Sequence, residues 1–268
     1  MPTVRPAAVA GMFYPADPRQ LAHEVQTFLA AARPLPLHPK ALIAPHAGYI
    51  YSGAIAASAY ATLKEIAPRI RRVVLLGPTH RVAVRGLALP DADAFDTPLG
   101  RVALDVAAMR DVARLPQVAV SGDAHALEHS LEVQLPFLQA VLADFTLLPL
   151  AVGMATPQEV AEVLEAVWGG DETLIVISSD LSHYLPYTVA RRTDGQTVDD
   201  IIKLHQPIDH EQACGGTPIS GLLIAARKHQ LTPHLLDLRN SGDTAGTRDR
   251  VVGYAAFAFT EEVHHARH

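Results

Sequence analysis

The chain has 268 residues, a net charge of −6 with histidine counted as neutral, 49% hydrophobic residues and 19% charged residues. These are the values of a folded globular chain, and the mild acidity excludes a broad basic face for nucleic acid. The single cysteine excludes an internal disulfide; no apolar run approaches the ~20 residues of a membrane span, so the expectation is a cytoplasmic protein with no membrane partner.

Met1 to Ala10 carries Pro2, Arg5 and Pro6 and lacks the long apolar stretch of a secretory signal. Asp17-Pro18 is an N-cap with proline at the first helical position, and Leu21, Val25, Phe28 and Leu29 form one apolar stripe behind it. After a proline-rich connector, Ala41 to Ala44 is a short apolar strand closed by Pro45-His46. Small residues from Ser52 to Leu63 follow as a helix suited to packing on a sheet. Val73 to Leu76 is the next strand, closed by Gly77-Pro78-Thr79-His80. Residues 86–105 predict a hairpin of Leu87-Ala88-Leu89 with Val102-Ala103-Leu104. Val106 to Leu115 predicts a helix, Val118 to Val120 a strand and Phe145 to Val152 another strand. Thr156-Pro157-Gln158-Glu159 caps a helix that Gly169-Gly170 stop. Leu174 to Ile177 is a third buried strand, followed by Ser-Ser-Asp180-Leu-Ser-His183. Residues 191–206 turn helical, Thr217-Pro218 caps a further helix, and strands at 235–238 and 251–260 close the chain. The alternation predicts a three-layer α/β/α sandwich around a mixed central sheet, a single domain over residues 1–268.

Three buried strands thus end beside a histidine: His46, His80 and His183. Ligands of open α/β sheets bind beyond the carboxyl ends of the strands, so these imidazoles are expected to meet in one crevice. Cys214 lies in a glycine-rich loop ahead of a helix, where a thiol is expected to have a lowered pKa. Asp180 is placed to orient His183 or to touch substrate. Tyr49 flanks His46 and is a candidate pocket wall, and Glu128 and His129 are candidates for the same crevice. Two imidazoles and one anionic donor, with open positions, suit non-haem iron; a thiolate donor admits copper and zinc. His183, left off the metal, would serve as general base near neutral pH. Two alternatives stand beside this. His46, His80, His183 and Cys214 can form a closed structural zinc site. His125-Ala-Leu-Glu128-His129 also spells the inverted zinc-peptidase pattern, which makes a zinc hydrolase of His125, Glu128 and His129 the third reading. The tail histidines His264, His265 and His268 are left out of the site.

Residues Ala10 to Pro15, Pro45 to Gly53, Gly77 to His80, Glu128-His129-Ser130, Ser179 to His183 and Val252 to Tyr254 together resemble the Memo family over essentially the whole chain. In prokaryotes that family is also component B of the AmmeMemoRadiSam system. The resemblance implies the fold and site of class III extradiol ring-cleaving dioxygenases. It carries the metal-ligand role to His46, His80 and Cys214, with iron(II) expected first and copper or zinc after it. The catalytic role falls to His183, accompanied by Asp180. It also implies a small-molecule or peptide ligand, and a radical SAM enzyme and an AMMECR-type protein as partners. The function expected is therefore a mononuclear metal oxidoreductase, or else a non-catalytic metal- or peptide-binding partner of those proteins.

Overall fold

The computed structural model describes residues 3–261; Met1, Pro2 and the tail with His264, His265 and His268 lie outside the described residues. In chain order, β1 (Val4–Arg5) leads to α1 (Pro18–Ala31), β2 (Pro39–Ala44), α2 (Tyr49–Tyr60) and β3 (Arg72–Pro78). Three short strands follow, β4 (Leu87–Leu89), β5 (Ala94–Thr97) and β6 (Gly100–Ala103), then α3 (Val106–Val112), β7 (Val118–Val120), α4 (Gly122–Ala126) and α5 (Leu135–Val141). The second half holds β8 (Thr146–Val152), α6 (Pro157–Ala166), β9 (Thr173–Ser178), β10 (His183–Leu185) and α7 (Tyr187–Ile202). It ends with α8 (Gly216–Lys228), β11 (Leu231–Asn240) and β12 (Val251–Glu261).

The main sheet runs β10-β12-β2-β9-β3-β8-β4-β7, with β11 also paired to β12. Its centre is parallel: β2, β9 and β3 lie side by side, with Ala44 level with Ser178 and Leu76 level with Ile177. β12 runs antiparallel against β2, and β4 antiparallel against β8, which makes the sheet mixed. The central strands are apolar on both faces because both faces are covered. Leu42, Val73, Leu75 and Val176 join one core with Leu21 and Val25 of α1, Ile55 of α2 and Phe137 of α5. Ile43, Val74, Leu76 and Ile177 join the other, with Val112 of α3, Val163 of α6, Ile201 of α7 and Leu222 of α8. Alternate residues of a strand therefore feed opposite layers, as the period of two requires. Among the described residues no helix is long and apolar enough to cross a membrane.

Local chemistry sets several boundaries as expected. Asp17 caps α1, accepting from the amides of Arg19 and Gln20, and Thr156 with Glu159 forms a reciprocal cap on α6. Three expectations are corrected. Leu87–Leu89 pairs with β7 and β8, not with residues 102–104. Pro90 follows β4, and the hairpin forms instead between β5 and β6, which with β1 make a separate three-stranded sheet. Its turn closes at Gly100, whose φ of 121° suits glycine. α8 begins at Gly216 behind a Gly215 cap, so Thr217 and Pro218 lie inside the first turn, where proline's missing N–H costs nothing. His183 does not end the third buried strand. β9 stops at Ser178, and His183 opens β10, paired antiparallel with β12.

Candidate metal centre

Each central strand delivers one side chain two residues past its end. β2 delivers His46, β3 delivers His80, and β9, between them, delivers Asp180. The Asp180 carboxylate accepts the His46 backbone N–H at 2.8 Å and so fixes where that histidine leaves its strand. Burial pushes the Asp180 carboxyl up to about 7, against the lowering effect of the His46 amide. The middle strand thus supplies a bracket for one of the two flanking imidazoles.

The loop after α4 supplies the remaining groups. His129 stacks on His80 with ring centroids 4.6 Å apart, and His46 meets both rings edge-on at 5.3 and 5.2 Å. One nitrogen from each of His46, His80 and His129 lies within 4.8 Å of the others, an arrangement that can hold a metal ion. Glu128 sits behind them. Its carboxylate accepts the His80 amide at 2.6 Å, the His80 Nδ1–H at 2.9 Å, and the amides of His129 and Ser130 at 2.9 Å each. Burial opposes its ionisation, but the His80 ring and these N–H donors outweigh that and hold the carboxyl at about 2. An ionised carboxylate only accepts, so this contact needs a proton on His80 Nδ1, and Nε2 is the atom that can turn a lone pair to a metal.

Burial also keeps His46 and His129 neutral. It pushes His46 well below the usual histidine range, with repulsion from His129 and His80 adding to it, and holds His129 at about 4. Neutral imidazole is the form that binds metal.

Cys214, one residue before the cap of α8, brings its Sγ to 3.3 Å from His46 Nε2. Gly215 permits this: a Cβ there would lie 2.6 Å from the Ser179 Cβ. The expectation of a lowered thiol pKa is corrected. Burial, with the Asp180 charge behind it, pushes the thiol up to about 12, outweighing the Asp180 amide, the Ser179 hydroxyl and the Gly215 amide. His80, His183 and Cys214 line a cleft of 1060 Å³, whose apolar wall includes Val84, Met154 and Leu185. His46 is buried beneath it. His183 is half-buried, and burial lowers its pKa.

Other sequence candidates fall elsewhere. Tyr49 is in the core, donating to Val133 O at 2.8 Å and packed against Phe137. His125 points away from the cluster to Ala88 O, 2.8 Å from its Nε2. α4 ends at Ala126, so His125, Glu128 and His129 never share one helical face and the peptidase arrangement does not form.

Sequence reasoning missed the scaffold behind the cluster. Arg5 donates to the carbonyls of His125 and Glu128, at 2.6 Å each, and to the Glu132 carboxylate, also at 2.6 Å. Glu132 further accepts from Ala8 N, Val9 N and the Tyr14 hydroxyl. Phe13 lies against the His129 ring at 4.7 Å. The N-terminal segment is therefore bolted to the loop that carries Glu128 and His129. Gln134, Ser130 and Ser178 are wholly buried polar groups behind His46. The one sequence signal for them was polar residues embedded in apolar runs.

The fold and the site together define an α/β sandwich protein with a histidine cluster, able to hold a metal, at the ends of its central parallel strands. The chain belongs to the Memo family. The sequence profile of a family described as "Memo-like protein" matches residues 5–258. A MEMO1 family protein of Methanosarcina barkeri is 37% identical over 94% of this chain and 98% of its own length. Another, of Aquifex aeolicus, is 36% identical over 96% and 99%. A crystal structure of an uncharacterized protein from Escherichia coli K12 shares the fold, with a TM-score of 0.52 and 16% identity over 81% of this chain and 98% of that one.

Proposed function

We propose that the chain binds one transition-metal ion at the His46–His80 pair and works as a non-haem oxidoreductase of the extradiol type, with iron the first choice and copper after it; zinc fits the same donors but brings no redox chemistry. The observation that carries this reading is the meeting of His46, His80 and His129 nitrogens within 4.8 Å at the edge of a ligand-sized cleft. Cys214 belongs to the same centre in this reading. Donors about 2.1 Å (nitrogen) and 2.3 Å (sulfur) from one metal stand roughly 3.3–3.6 Å apart, and the Cys214–His46 separation is 3.3 Å. The thiol gives up its proton when it ligates. When bound, iron or copper would supply Lewis acidity and one-electron redox capacity, and zinc Lewis acidity alone.

The protein's own groups do the rest. Burial keeps His183 neutral at pH 7, so it can take a proton from a ligand hydroxyl in the cleft it lines. Glu128 holds the proton of His80 on Nδ1, and the apolar wall around Met154 displaces water from a bound ring. Asp180 acts through His46, whose backbone it grips.

The test is metal analysis of protein purified without oxygen, wild type beside His46→Ala, followed by oxygen uptake with a panel of catechols. About one iron or copper per chain, lost in the variant, is expected. His183→Ala should keep the metal and lose turnover. Absence of metal from the wild type after anaerobic iron(II) loading would sink the reading. A second reading is favoured by the size of the cleft, which at 1060 Å³ exceeds what one aromatic ring fills. In it the protein binds a peptide or a partner, a radical SAM enzyme or an AMMECR-type protein, without turnover. Capture of such a partner that is lost with His183→Ala, and no oxygen uptake, is its signature.

A further inference from the structure

Behind His46 lies a closed chain of buried hydrogen bonds in which every proton can be assigned. The Tyr60 hydroxyl donates to Gln134 Oε1 at 2.8 Å, which sets the orientation of the amide. Gln134 Nε2 then has two protons to give. One goes to Pro45 O at 2.9 Å and the other to Ser178 Oγ at 2.7 Å. Ser178 has a single hydroxyl proton, and it goes to Ser130 O at 2.5 Å. What remains on Ser178 Oγ is a lone pair, and His46 Nδ1 stands 2.9 Å from it. That contact is a hydrogen bond only if Nδ1 carries the proton.

We infer that Gln134 and Ser178 are positioning residues of the metal centre, fixing His46 as the Nδ1–H tautomer and aiming its Nε2 lone pair at the metal position. The inference rests on the reading of the cluster as a metal site for its purpose, but not for its geometry. A relay built to leave the imidazole free would not need a donor amide locked by a tyrosine. Reversing the amide would set Gln134 Oε1 against the Pro45 carbonyl and turn the Tyr60 hydroxyl onto a donor. Ser130 connects the two halves of the site, since its own hydroxyl donates to Pro78 O at the end of β3 while its carbonyl accepts from Ser178.

His46 and His80 are thus held differently. His80 gives its Nδ1 proton to an ionised carboxylate and becomes the stronger donor to a metal. His46 donates its Nδ1–H to a neutral hydroxyl instead.

The test is long-range proton–nitrogen correlation on metal-free protein labelled with ¹⁵N-histidine, the His46 signals being identified by their loss in His46→Gln. In the wild type, protonated Nδ1 and bare Nε2 are expected; a proton on Nε2 overturns the inference, and this arm needs no further variant. Ser178→Ala removes the acceptor. His46 should then move toward the Nε2–H form that free imidazole side chains prefer, and cobalt(II) affinity should fall about 10- to 100-fold. Ser178→Thr, which keeps the hydroxyl, should restore both. A Ser178→Ala protein that melts normally and keeps the wild-type tautomer overturns the inference. If the tautomer behaves as stated and the wild type takes up no metal, the relay stands and the metal reading falls.

Discussion

At the scale of single residues, the site is governed by which protons are held and by what. Glu128 makes the clearest prediction. Its carboxylate collects four N–H donors and sits at about 2. Glu128→Gln replaces one accepting oxygen with a donor and sets it against donors. Metal affinity, measured by competition with a chelator, should drop about 10- to 100-fold, and stability should fall by ~1–3 kcal/mol through the unsatisfied amides. An unchanged chelator competition curve would show that His80 needs no carboxylate behind it. Cys214 makes a second prediction. A thiol at about 12 holds little thiolate at pH 8, so metal-free protein should react with an aromatic disulfide reagent roughly 100- to 1000-fold more slowly than free cysteine. A rate near that of free cysteine would mean the thiol is far less buried than it stands here.

At the scale of elements, two glycines set how closely the site loops approach. A Cβ on Gly77 would lie 2.9 Å from Ser130 Oγ, and one on Gly215 2.6 Å from the Ser179 Cβ. Gly215→Ala should push the start of α8 off the end of β9. The expected cost is ~1–3 kcal/mol by thermal unfolding, with Cys214 becoming faster to alkylate as it leaves His46. If stability and alkylation rate are both unchanged, the approach is not as tight as described. These contacts also explain what could be read from the sequence. The strands ending at His46 and His80 were legible because β2, β3 and β9 are buried on both faces and write continuous apolar runs. The caps at Asp17 and Thr156 were legible because their chemistry is local. The place of Leu87–Leu89 was not, because a three-residue strand has too few positions to declare its partner. His129 could not be set beside His80 from spacing, since the loop that carries it is held by Arg5, more than a hundred residues away in the chain. Tyr49 sits beside His46 in sequence, yet the first turn of α2 points it into the core.

At the scale of the whole molecule, Asp194 couples stability to pH. It lies on α7, buried against Gly253 of β12, and its carboxylate accepts the Ser182 amide at 3.0 Å. Burial pushes it up to about 6, more than the Ser182 amide lowers it. The folded value lies above the unfolded value of about 4. The folded protein therefore favours the protonated acid: that stabilisation is fully present below pH 4 and is lost as pH rises through 6. The difference in unfolding free energy between wild type and Asp194→Asn should shift against the wild type by ~2–3 kcal/mol between pH 4 and pH 7. A difference that stays flat with pH would place the ionised carboxylate comfortably in the fold.

The sheet order carries one more consequence. β12, the last of the described strands, is not an edge strand: it lies between β2 on one side and β10 and β11 on the other. While the nascent chain is still emerging, the free side of β2, the strand that presents His46, is an open row of backbone donors and acceptors with nothing to pair it. Such a row recruits other strands. The ribosome-bound chain is therefore most exposed to misassembly in the interval just before residues 251–261 appear, and it is the release of those residues that closes the sheet.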